Sequence, residues 1–206
     1  MLSAPPNFTA YQGWDALSHS LESYIANSAN SMSDMYALTA IENVGRNLAD
    51  AVKNGNNLEA RERVAFGSTL SGLVLVVGGT ASQHSLKHAL SAYHQDLPHG
   101  AGLIMLSKAY FKHFIDKQVC DERFVRMVQV MWMENVKKPM DFIAVLTKIQ
   151  EDCGVAELKM SDYGIPTDEF DVLAKNAKDT MGRLFARNHT QLSHEDCVAI
   201  LQASYK

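Results

Sequence analysis

The stretch Gln12-Gly-Trp14-Asp15-Ala-Leu17-Ser-His19-Ser-Leu21-Glu22-Ser-Tyr24-Ile25 decides the fold class. Its apolar members Trp14, Leu17, Leu21, Tyr24 and Ile25 recur at steps of three and four residues, which places them on one stripe of a helix running from Gln12 to Ala29. A strand would need residues to alternate between apolar and polar, and no segment of the chain sustains that alternation.

The helical period continues outward. Met35, Leu38, Ile41, Val44, Leu48 and Val52 form the stripe of a second helix that opens after Ser31 or Ser33. The run Asn54-Gly-Asn-Asn reads as a helix stop followed by a fresh N-cap. From Leu58 to Val77 the chain begins charged and turns apolar on most faces, which predicts a helix whose later turns lie deep inside the domain. Gly67, Gly72 and Gly78-Gly79 interrupt that run and mark close helix approach or a break. Further helices are expected at Ser82 to His94, Pro98 to Phe114, Asp121 to Glu134, Pro139 to Asp152, Thr167 to Phe185 and Ser193 to Ser204, with a loop from Gly154 to Pro166. The expected architecture is all-α, with residues 1–206 forming a single multi-helix domain.

Composition narrows the function classes. With 206 residues, 47% of them hydrophobic, the chain is long enough to bury a sizeable core. Its 19 basic and 23 acidic residues leave a net charge of −4 without a Lys/Arg cluster, which argues against a nucleic-acid partner. Cys120, Cys153 and Cys197 are too few and too far apart for a disulfide framework or a thiolate zinc cage, so a reducing, cytoplasmic compartment is expected. The opening Met1-Leu-Ser-Ala-Pro-Pro lacks the charged and apolar regions of a signal peptide, and the longest apolar run, Leu73 to Val77, is too short to cross a bilayer. No membrane partner is expected.

Asp15 and His19 are four residues apart and share a helix face nearly opposite Leu17, Leu21 and Tyr24. Taken alone, such a pair reads first as a solvated pair on an exposed helix face. His84 and His88 repeat the spacing across the helix from Leu86, Leu90 and Tyr93, where they read as surface histidines or as imidazoles converging on one ion. A metalloprotease is excluded, because no His-Glu-x-x-His is present. His99 follows Pro98 at a helix start, and Gly100, Ala101 and Gly102 leave room for another backbone or a ligand. His94 falls in the turn before Pro98 and is expected to be exposed. One carboxylate and several imidazoles from different helices would suit Fe(II), Zn(II) or a similar divalent ion.

Other residues read as structure. The three thiols are expected to be buried and inert. Met127, Met131, Met133 and Trp132 look like core or interface packing, and Glu59, Arg61, Glu62 and Arg63 like a charged helix surface. Neither a Gly-x-Ser-x-Gly elbow nor a Gly-rich phosphate loop occurs.

Taken together, Gly13-Trp-Asp15-Ala-Leu-Ser-His19-Ser-Leu-Glu22-Ser-Tyr24, His84-Ser-Leu-Lys-His88-Ala-Leu and Leu97-Pro-His99-Gly100 resemble the C-terminal helical domain of the iron-containing alcohol dehydrogenases. The resemblance extends to Ser33-Asp34 and its helix, to Glu59-Ala60-Arg61, and to the stretch from Ala174. It implies that Asp15, His19, His84 and His99 are ligands of a divalent metal, Fe2+ or Zn2+. It also gives His88 a catalytic proton-relay or substrate-orienting role beside the nicotinamide. The implied reaction is hydride transfer between a small primary alcohol or aldehyde and NAD(P).

Two departures accompany the resemblance. His99 lies fifteen positions after His84, about one more than in the best-known members, so a bulge or longer turn must absorb a residue and His94 becomes the fallback ligand. The α/β nucleotide-binding domain of the family, with its Gly-Gly-Gly-Ser-type loop, has no counterpart here. No cofactor-binding residue is therefore assigned, and the 206 residues alone are expected to bind metal without dehydrogenase turnover. A missing half would leave apolar surface and favour a homo-oligomer. The competing readings are a non-catalytic helical metal-binding or interaction module and a relative of the glycerol dehydrogenases or dehydroquinate synthases.

Overall fold

Pro6 occupies the first turn of a helix, where its missing N–H leaves no bond unmade. The first helix therefore starts before the Gln12 expected from its apolar stripe and runs as α1, Pro6–Tyr24. It also stops short of Ala29. Asn27 turns the chain there, its backbone N–H bonding the Arg187 carbonyl at 2.8 Å and its side-chain amide donating to the carbonyls of Ala186 and Asn188.

The computed structural model describes residues 2–132 and 136–206. Beyond α1, these contain α2 (Ser31–Lys53), α3 (Leu58–Val77), α4 (Ser82–Tyr93), α5 (His99–Asp116), α6 (Asp121–Met131), α7 (Asp141–Asp152), α8 (Phe170–Phe185) and α9 (His194–Ser204). A short 3-10 turn at Met160–Tyr163 interrupts the expected loop, and another at Thr167–Glu169 forms the start of the helix expected from Thr167, so that α8 itself begins at Phe170. No strand occurs among the described residues, so the fold is all-α. The end of the helix expected to reach Glu134, and Met133 with it, lie outside the described residues.

Local chemistry sets most boundaries. Asn30 caps α2 by accepting the N–H groups of Met32 and Ser33, one or more residues ahead of the serines expected to do so. Asn57 caps α3 by accepting the N–H of Ala60, as the Asn54-Gly-Asn-Asn run predicts. Ser193 caps α9 in the same manner.

Helix α1 buries Trp14, Leu17 and Leu21 completely against α2, α3 and α5. Each such side chain contributes about 1.5–3 kcal/mol of burial. Gly67 lets α3 approach α2 closely, since a Cβ there would press on Val44 and on the Ala40 carbonyl, whereas Gly72 faces open space. Phe111, Phe124 and Phe142 meet edge to face or tilted and join α5, α6 and α7.

Two expectations fail on α3. Its later turns are not deep in the domain: Val74 is fully buried, but Leu73, Leu75 and Val77 are exposed and Val76 is 83% exposed. The helix lies at the rim and buries one stripe only. Arg61 is not a surface charge either. It is buried, and its guanidinium donates to the carbonyls of Gly55 and Ala4 and to the Thr9 hydroxyl, tying the start of α3 to the start of α1. Among the described residues, no single helix is long and apolar enough to cross a membrane.

Candidate metal centre

Helix α1 presents Asp15 and His19 one turn apart, α4 brings His84, and the first residue of α5 is His99. Asp15 Oδ1 is the hub. It lies 3.6 Å from His19 Nδ1, 3.3 Å from His84 Nε2 and 3.1 Å from His99 Nε2. Bonds of about 2.0–2.2 Å to one ion put neighbouring donors about 3.0–3.5 Å apart, so this spacing matches the edge of a coordination shell. Asp15, His19 and His84 each offer a donor atom within 4.8 Å of the other two, and His99 joins them through Asp15. The rings of His19 and His84 stack at 4.1 Å.

Packing brings these helices together. Gly100 sits against the backbone of Tyr11, where a Cβ would overlap the Tyr11 carbonyl, so α5 can start directly beside α1 with His99 next to Asp15. The close approach inferred from the small residues after His99 is thus an approach of backbone. Helix α4 lacks a side-chain cap of its own. The fully buried carboxylate of Glu22, from α1, takes the Ala81 N–H at 2.8 Å through Oε2. Its other oxygen bonds His84 Nδ1, and Thr80 Oγ1 lies 3.0 Å from the same nitrogen.

Glu22 is the site residue that the sequence reading leaves unused. The signal was available, because at roughly 100° per residue Glu22 falls about 20° from Asp15 on the face that also carries His19. A charged residue on that face reads as solvated until α4 is placed over it.

Electrostatics follow from the clustering. Burial opposes the charge on Asp15, but hydrogen bonds with His84 and His99 and the charge of His19 outweigh it and hold the carboxyl well below the usual carboxylate range. Burial and the neighbouring His84 push His19 down to about 4. Burial also works against charge on His84, yet Glu22 and Asp15 prevail and raise it to about 9. An ionised carboxylate and a neutral imidazole, as in Asp15 and His19 near neutral pH, are the forms that bind a cation.

The remaining histidines separate. His88 is exposed on α4, four residues from the buried His84, and its ring lies 5.2 Å from that of His99. Burial, then His99 and Lys87, lower its pKa. His94 is only part-exposed and bonds Glu169 at 2.7 Å, away from Asp15, so the fallback ligand has another partner. Lys87 is buried, donates to Ser91 Oγ at 2.6 Å and is lowered by burial to about 8. An open groove of about 350 Å3, lined by Phe8, Tyr11, Gln12 and Pro98, reaches Asp15, His99 and Gly100.

A helical domain that gathers one carboxylate and three imidazoles from three helices offers the mixed oxygen and nitrogen donors that suit a divalent ion. Residues 9–205 match the model of the Fe-containing alcohol dehydrogenase family, C-terminal part, and the chain belongs to that family. It is 30% identical over its whole length to a 1,3-propanediol dehydrogenase of Klebsiella pneumoniae, of which it covers 53%. It is 31% identical, over 99% of its length, to long-chain-alcohol dehydrogenase 1 of Geobacillus thermodenitrificans, of which it covers 52%. The solved structure of an archaeal halo-thermophilic alcohol dehydrogenase from a Red Sea brine pool superposes with a TM-score of 0.92 at 26% identity, over 98% of this chain and 52% of that one. The chain spans about half the length of the curated relatives it matches.

Proposed function

We propose that residues 1–206 form the metal-binding half of an NAD(P)-dependent alcohol dehydrogenase that interconverts a small primary alcohol and its aldehyde. The observation that carries this reading is the convergence of three ring nitrogens, from α1, α4 and α5, within 3.6 Å of Asp15 Oδ1. Asp15, His19, His84 and His99 are the ligands in this reading, and Fe2+ or Zn2+ suits their mixed nitrogen and oxygen donors. A divalent ion there supplies Lewis acidity, and a nicotinamide supplies the hydride chemistry. His88, beside His99 and open to solvent, moves the alcohol proton. The groove lined by Phe8, Tyr11 and Pro98 supports an apolar carbon chain next to Asp15 and His99.

The names of the matched relatives, alcohol dehydrogenases including one for 1,3-propanediol, support the substrate class. The 206 residues hold no glycine-rich phosphate loop. In this reading nicotinamide positioning falls to a nucleotide-binding half outside these residues, and much of the rate enhancement depends on that proximity.

Elemental analysis tests the reading directly. Purified protein should hold about one divalent ion per chain, and His84→Ala should lower that content severalfold. Unchanged stoichiometry in the variant would overturn the ligand assignment. The 206 residues assayed alone should show no alcohol-dependent reduction of NAD(P), and a supplied nucleotide-binding half should restore it. Turnover by the 206 residues without that half would overturn the division of labour, whereas a metal-loaded chain inert under both conditions would favour a non-catalytic metal-binding module.

A further inference from the structure

Glu22 is a carboxylate with no exposure to solvent, and burying a carboxylate is costly unless both oxygens are engaged. Here both are. Oε2 accepts the Ala81 N–H at the start of α4, and Oε1 meets Nδ1 of His84. The opposite ring nitrogen of His84, Nε2, faces Asp15 Oδ1 at 3.3 Å. One side chain of α1 therefore grips both the end of α4 and the ring that α4 delivers.

We propose that Glu22 is the positioning residue of the centre: it accepts the Nδ1–H of His84, which makes Nε2, on the side of Asp15, the nitrogen that meets a metal once that metal displaces its proton. The inference rests on the metal-binding reading above. A histidine donating one N–H to a carboxylate is fixed in tautomer and ring orientation and becomes a more basic ligand. The bond to Ala81 holds the helix terminus in the same register, so the ring cannot swing away without uncapping α4. Thr80 Oγ1, 3.0 Å from Nδ1, closes the other approach to that nitrogen.

Glu22→Gln discriminates this role from simple packing. The amide keeps its volume and still offers an oxygen to Ala81, but its NH2 then faces Nδ1. Nδ1 becomes an acceptor and the ring proton moves to Nε2, the nitrogen required for the metal. Cobalt(II) titration, read by its visible absorption and by competition with a chromophoric chelator, should show Glu22→Gln binding about 10–100-fold more weakly than wild type. The helical circular dichroism of the metal-free variant should stay unchanged.

A variant with wild-type cobalt affinity and spectrum overturns the positioning role while leaving the metal centre standing. Absence of cobalt binding by the wild-type protein overturns both. Should Glu22→Gln fail to fold, long-range proton–nitrogen NMR of the zinc-loaded wild-type chain decides: His84 should carry its proton on Nδ1, and a proton-free Nδ1 refutes the inference.

Discussion

Gly100 shows how much of the centre depends on a single missing Cβ. The Tyr11 backbone fills the space where that atom would sit, and the neighbouring residue is His99, 3.1 Å from Asp15. Gly100→Ala must push α5 away from α1, because the opposing atoms are main chain and cannot turn aside. The expected cost is about 1–3 kcal/mol in denaturant unfolding, with a parallel loss of metal affinity as His99 withdraws. An Ala variant with wild-type stability and affinity would show that the two helices separate freely. The same scale explains what was legible at the site. Asp15, His19, His84 and His99 stood out by spacing and motif, whereas Glu22 lay on their face in plain sight and acquires a role only through a residue 62 positions away.

Among the elements, α1 carries the most weight, because it presents Asp15 and His19 on one face and buries Trp14, Leu17 and Leu21 on another. Its C-terminal end is held by α6. Arg123 donates to the Tyr24 carbonyl at 2.7 Å and to Asp34 at 2.8 Å, and its guanidinium lies 4.6 Å from the Tyr24 ring centre. Arg123 and Asp34 are partly exposed, so solvent screening reduces the ion pair's contribution. Arg123→Ala should still destabilise by about 1–2 kcal/mol, seen as a lower urea midpoint with the slope unchanged.

The helical elements themselves were largely readable, since a 3.6-residue period is local and every helix expected between residues 58 and 131 has its counterpart. Their ends were less so. The start of α1 depends on Pro6 and its close on Asn27 bonding a segment near residue 187, which no window of neighbouring residues contains. Burial along α3 was misread for a related reason: composition shows that Val76 is apolar but not that its helix lies at the rim.

For the molecule as a whole, stability should fall on mild acidification. His113, on α5, has its pKa lowered by burial and by Lys117, against the opposing charges of Asp196 on α9 and Asp116. The unfolded chain protonates this ring around its ordinary value of 6.5, whereas the folded chain resists until lower pH. The contribution is therefore complete above 6.5 and declines as pH drops toward the folded value. His113→Gln should flatten that part of the stability-against-pH curve in thermal melts, and a difference confined to alkaline pH would contradict the assignment. Asp196 is itself lowered by the Ser193 backbone and Lys117 despite burial, so its own effect belongs to a more acidic window.

By itself the sequence determined the helical class, because a 3.6-residue period is a property of neighbouring residues, and its motifs carried the resemblance to the iron-containing alcohol dehydrogenases. Tertiary structure alone decided which donors meet. It sent His94 to Glu169, left His88 in solvent, drew His99 to Asp15 across a glycine and set Glu22 behind His84. Convergence of that kind depends on how helices distant along the chain stack their faces, and a one-dimensional pattern carries no record of the distance between them.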